Sequence, residues 1–462
     1  MKALNIKKYM KHLKYLITTI IAISILNISC NASSPANTPV IPDNDEPWWV
    51  DWVEPTTPVN PTPDPGNNSN PADNTPVNPA PDPGNNSNPG TDPGAEPVEA
   101  PLFSPNAQRL FNYLTDIYGS YSLSGQMDTA WTNNSSMDMI TRVFTDTGKY
   151  PAIKGFDLIE IPNSWSGYGK DQIDEAIEWW DGKNKKNGAS TAAKLLPESP
   201  DIHGIVTFCW HWKVKNSTSS VSDFYSDKTD FRIPMSGGKL DKESAAFKNT
   251  IKPDLDKAAA LLKYLKDKDI PVLWRPLHEA AGNYPLTNPN NPWFWWGASG
   301  PQAYICLWEY MYDYFTNEKG LDNLIWVWNG QNKSWLPNPD TVDIVSFDYY
   351  VTDFSSTAQN YSSQKAVFDR TKAMVPTDIS RMVALSENGA IPDPDNCKKD
   401  NAMWLWFMVW NDSYNSKQGD TSKDNFWTGD YHNTQAHKEK VYNHELVITL
   451  DELPDITKYR LE

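Results

Sequence analysis

Pro271-Val272-Leu273-Trp274-Arg275-Pro276-Leu277-His278-Glu279 opens as a β-branched and aromatic run and ends in charge. The first half has the character of a strand buried on both faces, and the second turns polar where such a strand would reach the surface. Just before it, residues 254–268 place Leu255, Ala258, Ala259, Leu262 and Leu265 on one face at helical spacing. The same alternation of buried run and amphipathic stretch continues in both directions. Candidate strands fall at 123–127, 151–158, 204–210, 271–277, 324–328, 343–347, 382–385 and 405–410, with further helices predicted over 302–315 and 359–374. Repeated βα units argue for a parallel sheet, and eight strands close it into a (β/α)8 TIM barrel. Globular composition begins near Pro101 and runs to Glu462, longer than the ~250 residues of a typical barrel but within its range once loops are inserted. One barrel domain over 101–462 is therefore expected.

In this fold the reactive groups stand at the carboxyl ends of the strands. Two glutamates occupy that position: Glu279 after the fourth run, and Glu387 after the seventh in Val383-Ala384-Leu385-Ser386-Glu387-Asn388-Gly389. By strand alternation, Arg275, Leu277 and Glu279 share one face, and so do Val383, Leu385 and Glu387. If both faces meet at the barrel mouth, the two carboxyls come together from opposite sides. Retaining glycoside hydrolysis needs such a pair, one protonated to assist the leaving oxygen and one ionised to attack, about 5–5.5 Å apart. Arg275 would keep its carboxylate partner ionised, while the more buried glutamate would have its pKa raised. Either glutamate alone is more often an ion-paired or surface residue. Their matched positions and aromatic flanks favour the pair.

The segment Arg275-Pro276-Leu277-His278-Glu279, with Gly282 and then Trp293-Phe294-Trp295-Trp296-Gly297, resembles the acid/base region of glycoside hydrolase family 26, best known for endo-β-1,4-mannanases. Other parts match in order: Trp210-His211-Trp212, Asp348-Tyr349-Tyr350, Ser386-Glu387-Asn388-Gly389 and Trp406-Phe407-Met408-Val409-Trp410-Asn411. The resemblance covers roughly residues 101–462. It implies Glu279 as acid/base and Glu387 as nucleophile, with Tyr350 bonded to the nucleophile. It also implies that His211 and His278 contact the sugar at the cleavage point and that Trp293 and Trp410 stack on or border it. Asp348 is expected to orient polar neighbours, and Arg275 to line the same site. The insertion 283–292 departs from the family's compact spacing and puts the place of Trp293 in doubt. Family members also act on β-1,3-1,4-glucan and β-1,3-xylan, so a β-mannan is the expected substrate among several glycans. A binding-only surface protein on a degenerate barrel and a structural envelope protein are the alternatives from other classes. Neither has a need for both glutamates.

Composition narrows the partners. The chain carries 58 acidic against 41 basic residues, a net charge of -17, with no basic cluster beyond the leader, which excludes nucleic acid. Its 21 Trp and 21 Tyr suit a ligand with C–H faces and hydroxyl edges, such as a sugar. Cys209, Cys306 and Cys397 stand far apart, without paired metal-ligand spacing. No disulfide framework, no metal and no cofactor is expected, and a monomer is.

The first residues read as a leader. Lys2, Lys7, Lys8, Lys11 and Lys14 precede an apolar run over 15–28, too short to span a bilayer, and Ser29-Cys30 follows. Leu26-Asn27-Ile28-Ser29-Cys30 resembles a bacterial lipoprotein processing site, which makes 1–29 a signal peptide and Cys30 the lipidation point. An ordinary cleaved signal with Cys30 incidental is the alternative. Residues 31–100 hold 17 of the 37 prolines, and Pro58-Val59-Asn60-Pro61 to Pro71 recurs eighteen residues later from Pro76 to Pro89. Such a stretch cannot bury enough apolar surface to offset its ordering entropy, so 30–100 is expected to be a disordered tether. Trp48, Trp49 and Trp52 within it have no assigned role. The expected location is the cell envelope, lipid-anchored and surface-exposed, on the outer membrane if the cell is Gram-negative.

Overall fold

The computed structural model describes residues 103–462, apart from 129–137, 160, 162–167, 186–190, 200, 218–221, 283–291, 352–356, 378 and 414–421. The leader, Cys30, the tether with Trp48, Trp49 and Trp52, and the 283–292 insertion except Pro292 lie outside the described residues.

Eight strands form a closed parallel barrel: β1 Ser122–Met127, β2 Ile153–Asp157, β3 Ile205–Cys209, β4 Val272–Arg275, β5 Leu324–Trp328, β6 Ile344–Tyr349, β7 Met382–Asn388 and β8 Trp406–Val409. They neighbour one another in chain order, and β8 pairs with β1 to close the ring. A two-residue strand, β9 (Val447–Ile448), adds to the start of β1 in parallel. Every residue of β4 and β5 is buried, as expected of strands covered by side chains within and helices without. Small residues make the interior fit. A Cβ on Gly125 of β1 would stand 2.5 Å from the Phe407 carbonyl oxygen of β8 and 2.8 Å from the Met408 methyl.

The helices are α1 Pro105–Ile117, which precedes the barrel, then α2 Met139–Thr147, α3 Tyr168–Trp180, α4 Lys252–Lys266, α5 Pro301–Asp313, α6 Lys365–Lys372, α7 Pro394–Lys399 and α8 Gln435–Tyr442. Local chemistry sets their ends. Asp138 accepts from the Thr141 N–H to cap α2, and Gly148 at φ 73° stops it. Pro301 opens α5, where a missing N–H costs nothing. The apolar face read over 254–268 is the buried face of α4, which carries Leu255, Ala258, Ala259, Leu262 and Leu265. The stretch predicted as helix over 359–374 is helical only from Lys365 to Lys372. Between β5 and β6 the helix of a regular repeat is replaced by two single 3-10 turns, Lys333–Trp335 and Pro339–Thr341.

Buried charge ties the layers together. Lys154 of β2 points outward and bonds Asp128 (2.8 Å), Glu175 of α3 (3.1 Å) and Asn184 (3.1 Å). A buried cation so surrounded is held by several oxygens at once, and losing one partner would leave charge uncompensated.

The crowding at the β1–β8 seam gives a stability prediction. Gly125→Ala drives a methyl into backbone that cannot rotate away, so it should cost about 1–3 kcal/mol, read as a lower midpoint in chemical denaturation of the full chain. An unchanged midpoint would mean that β8 yields at the seam.

Candidate active site

Strands β2 to β8 each deliver a group at the same end of the barrel. Asp157 ends β2, His211 follows β3, Arg275 ends β4 and Asn329 follows β5. Asp348 lies in β6 with Tyr350 just after it, Glu387 lies in β7, and Trp410 follows β8.

Glu279 does not arrive by strand alternation. β4 stops at Arg275, and the chain then turns through Leu277 at φ 51° and Glu279 at φ 50°. These left-handed conformations cost side-chain-bearing residues energy and persist where neighbours fix them. Here the fixing is done by the β5 end: the Glu279 N–H donates to the Asn329 backbone oxygen (2.7 Å) and to its Oδ1 (3.1 Å), and the Ala281 N–H to the Gly330 oxygen (3.2 Å). Glu387 departs from alternation too. On the β6 side Phe347 pairs with Leu385 and Asp348 with Glu387, so Ser386 is an extra residue in the ladder. This bulge aims two consecutive side chains at the mouth. Ser386 accepts from Asn329 Nδ2 (2.8 Å) and donates to Asp348 Oδ1 (2.7 Å).

The result is a buried charge cluster. Carboxyl oxygens of Glu279, Asp348 and Glu387 lie within 4.8 Å of one another. Arg275 bridges two of them, donating from one terminal nitrogen to Asp348 Oδ2 (2.8 Å) and from the other to Glu387 Oε1 (2.5 Å). The Tyr350 hydroxyl donates to Glu387 Oε2 (2.8 Å). Its phenol is held well above the usual range, first by burial and then by Glu387, so it remains a donor. Burial raises the Glu279 carboxyl well above its ordinary value, and the Asp348 and Glu387 charges add to this against Arg275. One carboxyl is thus biased toward its protonated form and another is held by two donors, the division of labour a general acid and a nucleophile require. Asp348 is also pushed up, to about 7, by burial, against the pull of Arg275, Ser386 and Asn329.

The opposite wall is aromatic and imidazole. His278 Nε2 stands 3.2 Å from His211 Nε2 and 4.0 Å from Glu387 Oε1. Burial lowers the His278 pKa well below its usual value, with Arg275 and His211 contributing, so the ring is neutral. His211 is flanked by Phe224, Phe294 and Trp410 at ring-centre distances of 4.9, 5.6 and 5.8 Å. Trp293, expected from the resemblance to stack on or border the sugar, is 41% exposed. Its ring covers Gly282, where a Cβ would come within 2.3 Å of it. Its neighbour Phe294 is the residue that reaches both histidines. The remaining expected residues, His211, Arg275, His278, Asp348, Tyr350 and Trp410, gather with the two glutamates.

Sequence reasoning missed Asp157, Asn329, Phe224 and Phe294. Asp157 and Asn329 obey the strand-end rule that picked out the glutamates, since Asp157 falls at the end of the run read over 151–158 and Asn329 just after the one read over 324–328. The two phenylalanines carry no such signal. Among the described residues, two groups cluster closely enough to offer metal ligands, Asp157 with Cys209 and His211, and Glu279 with Asp348 and Glu387. In the second, Arg275 already supplies the positive charge. In the first, the Asp157 and His211 atoms are spent on each other at 2.6 Å.

A buried ion pair ties Asp412 and the stretch around Trp427 to α2. Arg142 of α2 donates to Asp412 Oδ2 (2.8 Å) and Thr428 Oγ1 (2.9 Å), and Asp412 Oδ1 accepts the Trp427 N–H (2.8 Å). That places Phe426 against Tyr350, with ring centres 5.3 Å apart.

Residues 100–452 match the sequence profile described as Glycosyl hydrolase family 26. A mannan endo-1,4-beta-mannosidase of Thermothelomyces thermophilus is 32% identical over 359 residues, covering 76% of this chain and 62% of the relative. Mannan endo-1,4-beta-mannosidase B of a Piromyces species is 31% identical over 76% of this chain and 52% of its own length. The chain therefore spans between half and two thirds of these curated relatives. Among solved structures, the Podospora anserina GH26-CBM35 beta-(1,4)-mannanase superposes with a TM-score of 0.59 at 31% identity, over 78% of this chain and 69% of that one.

The raised Glu279 pKa has a thermodynamic consequence. A group whose folded pKa exceeds its unfolded value contributes stability at low pH that is lost as pH climbs from the unfolded value of ~4.3 through the folded one. Glu279→Gln cannot ionise. Its melting temperature relative to the parent should therefore rise as pH climbs above about 4.3, measured by thermal unfolding at several pH values. A constant difference would show Glu279 ionised throughout.

Proposed function

We propose that this chain, which belongs to glycosyl hydrolase family 26, is a retaining, endo-acting glycoside hydrolase that cleaves β-1,4-mannosidic bonds. The observation that carries the mechanism is the pair of unlike carboxyls, Glu279 raised in pKa by burial and Glu387 held by Arg275 and Tyr350, with oxygens inside 4.8 Å. Such proximity suits direct attack at the anomeric carbon and is too tight for a water between the carboxyls.

In the first step Glu387 attacks the anomeric carbon while Glu279 gives its proton to the departing oxygen. The product is a glycosyl ester on Glu387. As Glu387 loses its charge, the field that raised the Glu279 pKa weakens, and Glu279, now ionised, can take a proton from water. That water attacks the same carbon from the vacated side, and the configuration is retained after two inversions. Arg275 and Tyr350 hold Glu387 in one orientation throughout, so little reorganisation is needed at the moment of reaction.

Support for mannan comes from the curated relatives, which carry that activity in their names. The leader sequence supports extending the proposal to an envelope protein tethered through Cys30, placed to meet a polymer too large to enter a cell.

The test is reducing-sugar release from galactomannan, glucomannan, barley β-glucan and β-1,3-xylan. Turnover on the mannans alone is expected. Glu387→Ala should lose nearly all of it, and Glu279→Ala about 10²–10⁴-fold on polymer, with far less loss on an aryl glycoside that departs without a proton. Cleavage of only the glucan or the xylan would overturn the substrate, and glycan binding that survives Glu387→Ala without any turnover would overturn the enzyme.

A further inference from the structure

Asp157 bonds His211 twice. The His211 backbone N–H donates to Oδ1 (3.0 Å) and its ring Nδ1 to Oδ2 (2.6 Å). A carboxylate offers only lone pairs, so a ring proton sits on Nδ1, which leaves Nε2 to act as an acceptor whenever it carries no second proton. Facing that acceptor at 3.2 Å is His278 Nε2, which must then be the donor. Its other nitrogen, Nδ1, is buried without a hydrogen-bond partner among the described residues. Phe224, Phe294 and Trp410 pack around His211 but cannot choose between the two flips of an imidazole, which have nearly the same shape. The carboxylate on Nδ1 and His278 on Nε2 distinguish them, and of the two only the carboxylate dictates which nitrogen carries the proton. Cys209, the third group of this cluster, is kept a neutral thiol first by burial and then by Asp157, and so cannot take over that role.

The His278 proton matters because of what else lies near it. Glu387 Oε1 is 4.0 Å from the same nitrogen. Engaged by His211, that proton stays off the carboxylate that must attack; released, it has Glu387 as its next acceptor. A nucleophile with an additional donor is a weaker one, since the bond must be given up as negative charge leaves the oxygen.

We propose that Asp157 is a positioning residue for the nucleophile: by fixing the His211 tautomer it commits the His278 Nε2–H to His211 and keeps it from Glu387. The step it serves rests on the hydrolase reading above, whereas the tautomer itself can be measured without any substrate.

Asp157→Asn is the direct test, because the amide has the carboxylate's shape but can donate to Nδ1 and reverse the His211 tautomer. With seven histidines in the chain, 15N-histidine labelling of the full-length protein, assigned against His211→Gln, reports which ring nitrogen is protonated. The expected result is Nδ1–H in the parent and Nε2–H in Asp157→Asn at a closely similar melting temperature. On whichever polysaccharide the parent cleaves, kcat should fall by about 10²-fold, the cost of a small misplacement at the reacting centre. An aryl glycoside with a good leaving group should show the same factor, because attack is impaired and not protonation. A merely structural role would move the melting temperature and leave the tautomer alone. Unchanged tautomer, rates within twofold of the parent, a loss confined to KM, or a loss confined to the polymer would each overturn the proposal. If Asp157→Asn does not fold, Asp157→Ser, which removes the carboxylate with less bulk, is held to the same readings. A parent inactive on every glycan would defeat the hydrolase reading, while the tautomer measurement would still decide whether Asp157 governs the histidine pair.

Discussion

One guanidinium among three carboxyls sets the terms for the rest of the site. Arg275 is buried and touches Asp348 and Glu387, and Glu279 completes the group within 4.8 Å. Two like charges at that separation repel by ~3–4 kcal/mol at an effective dielectric of ~20, and a third would find no cation of its own. The cluster therefore has reason to keep a proton, and the carboxyl without a guanidinium contact is Glu279. The acid is defined by what Arg275 does not touch as much as the nucleophile is by what it does. Arg275 in turn needs its anions, because a buried cation stripped of a partner costs several kcal/mol.

This arrangement demands a backbone that regular strands do not supply. A parallel strand presents every second residue, and Arg275 to Glu279 would follow that rule if β4 continued. It ends instead in a turn with two side-chain-bearing residues at positive φ, each worth ~1–3 kcal/mol of strain. Gln331 in the adjoining turn, at φ 60°, is a third. The two turns hold each other through the Glu279 and Ala281 N–H groups. Asn329 joins this clasp to the charge cluster, since its side chain accepts from Glu279 and donates to Asp348 and Ser386. Acid and nucleophile sides are thereby fixed to one another through a single amide.

The barrel was legible in the sequence because its strands, buried on both faces, appear as apolar runs whatever their loops do. The strand predicted over 324–328 coincides with Leu324–Trp328, and the face of α4 is the one its spacing implies. What was not legible arises where local pattern gives way to tertiary contact. No periodicity announces that Ser386 is an extra residue, because a bulge is defined by the partner strand. Likewise the helix expected from residue 359 begins at Lys365, where Gln364 at φ 55° precedes its first turn. Trp293 and Phe294 are adjacent and equally aromatic, and only the packing of Trp293 over Gly282 decides which of them turns to the histidines. Asp157 was within reach of the strand-end rule, but an aspartate at a strand end is common, and its meaning depends on His211 being opposite.

Distribution over seven strand ends explains how so many constraints coexist. If acid, nucleophile, guanidinium and histidines shared one loop, each adjustment of one would displace the others. Here the guanidinium, one histidine and the acid come from the end of β4, the other histidine follows β3 and the nucleophile lies in β7, and the bonds between them cross from strand to strand: Asp157 of β2 to His211 after β3, Arg275 of β4 to Glu387 of β7, and Asn329 after β5 to Asp348 of β6. The close-packed wall beneath them resists relative movement, because strands at native packing density cannot slide without opening voids. The same wall explains the placement of small residues within it. Gly125 and Gly155 clear space for Met127 and Met408, whose flexible side chains fill the irregular interior. The strained turns and crowded charges at the mouth can be sustained because the barrel below them leaves no lower-energy arrangement within reach.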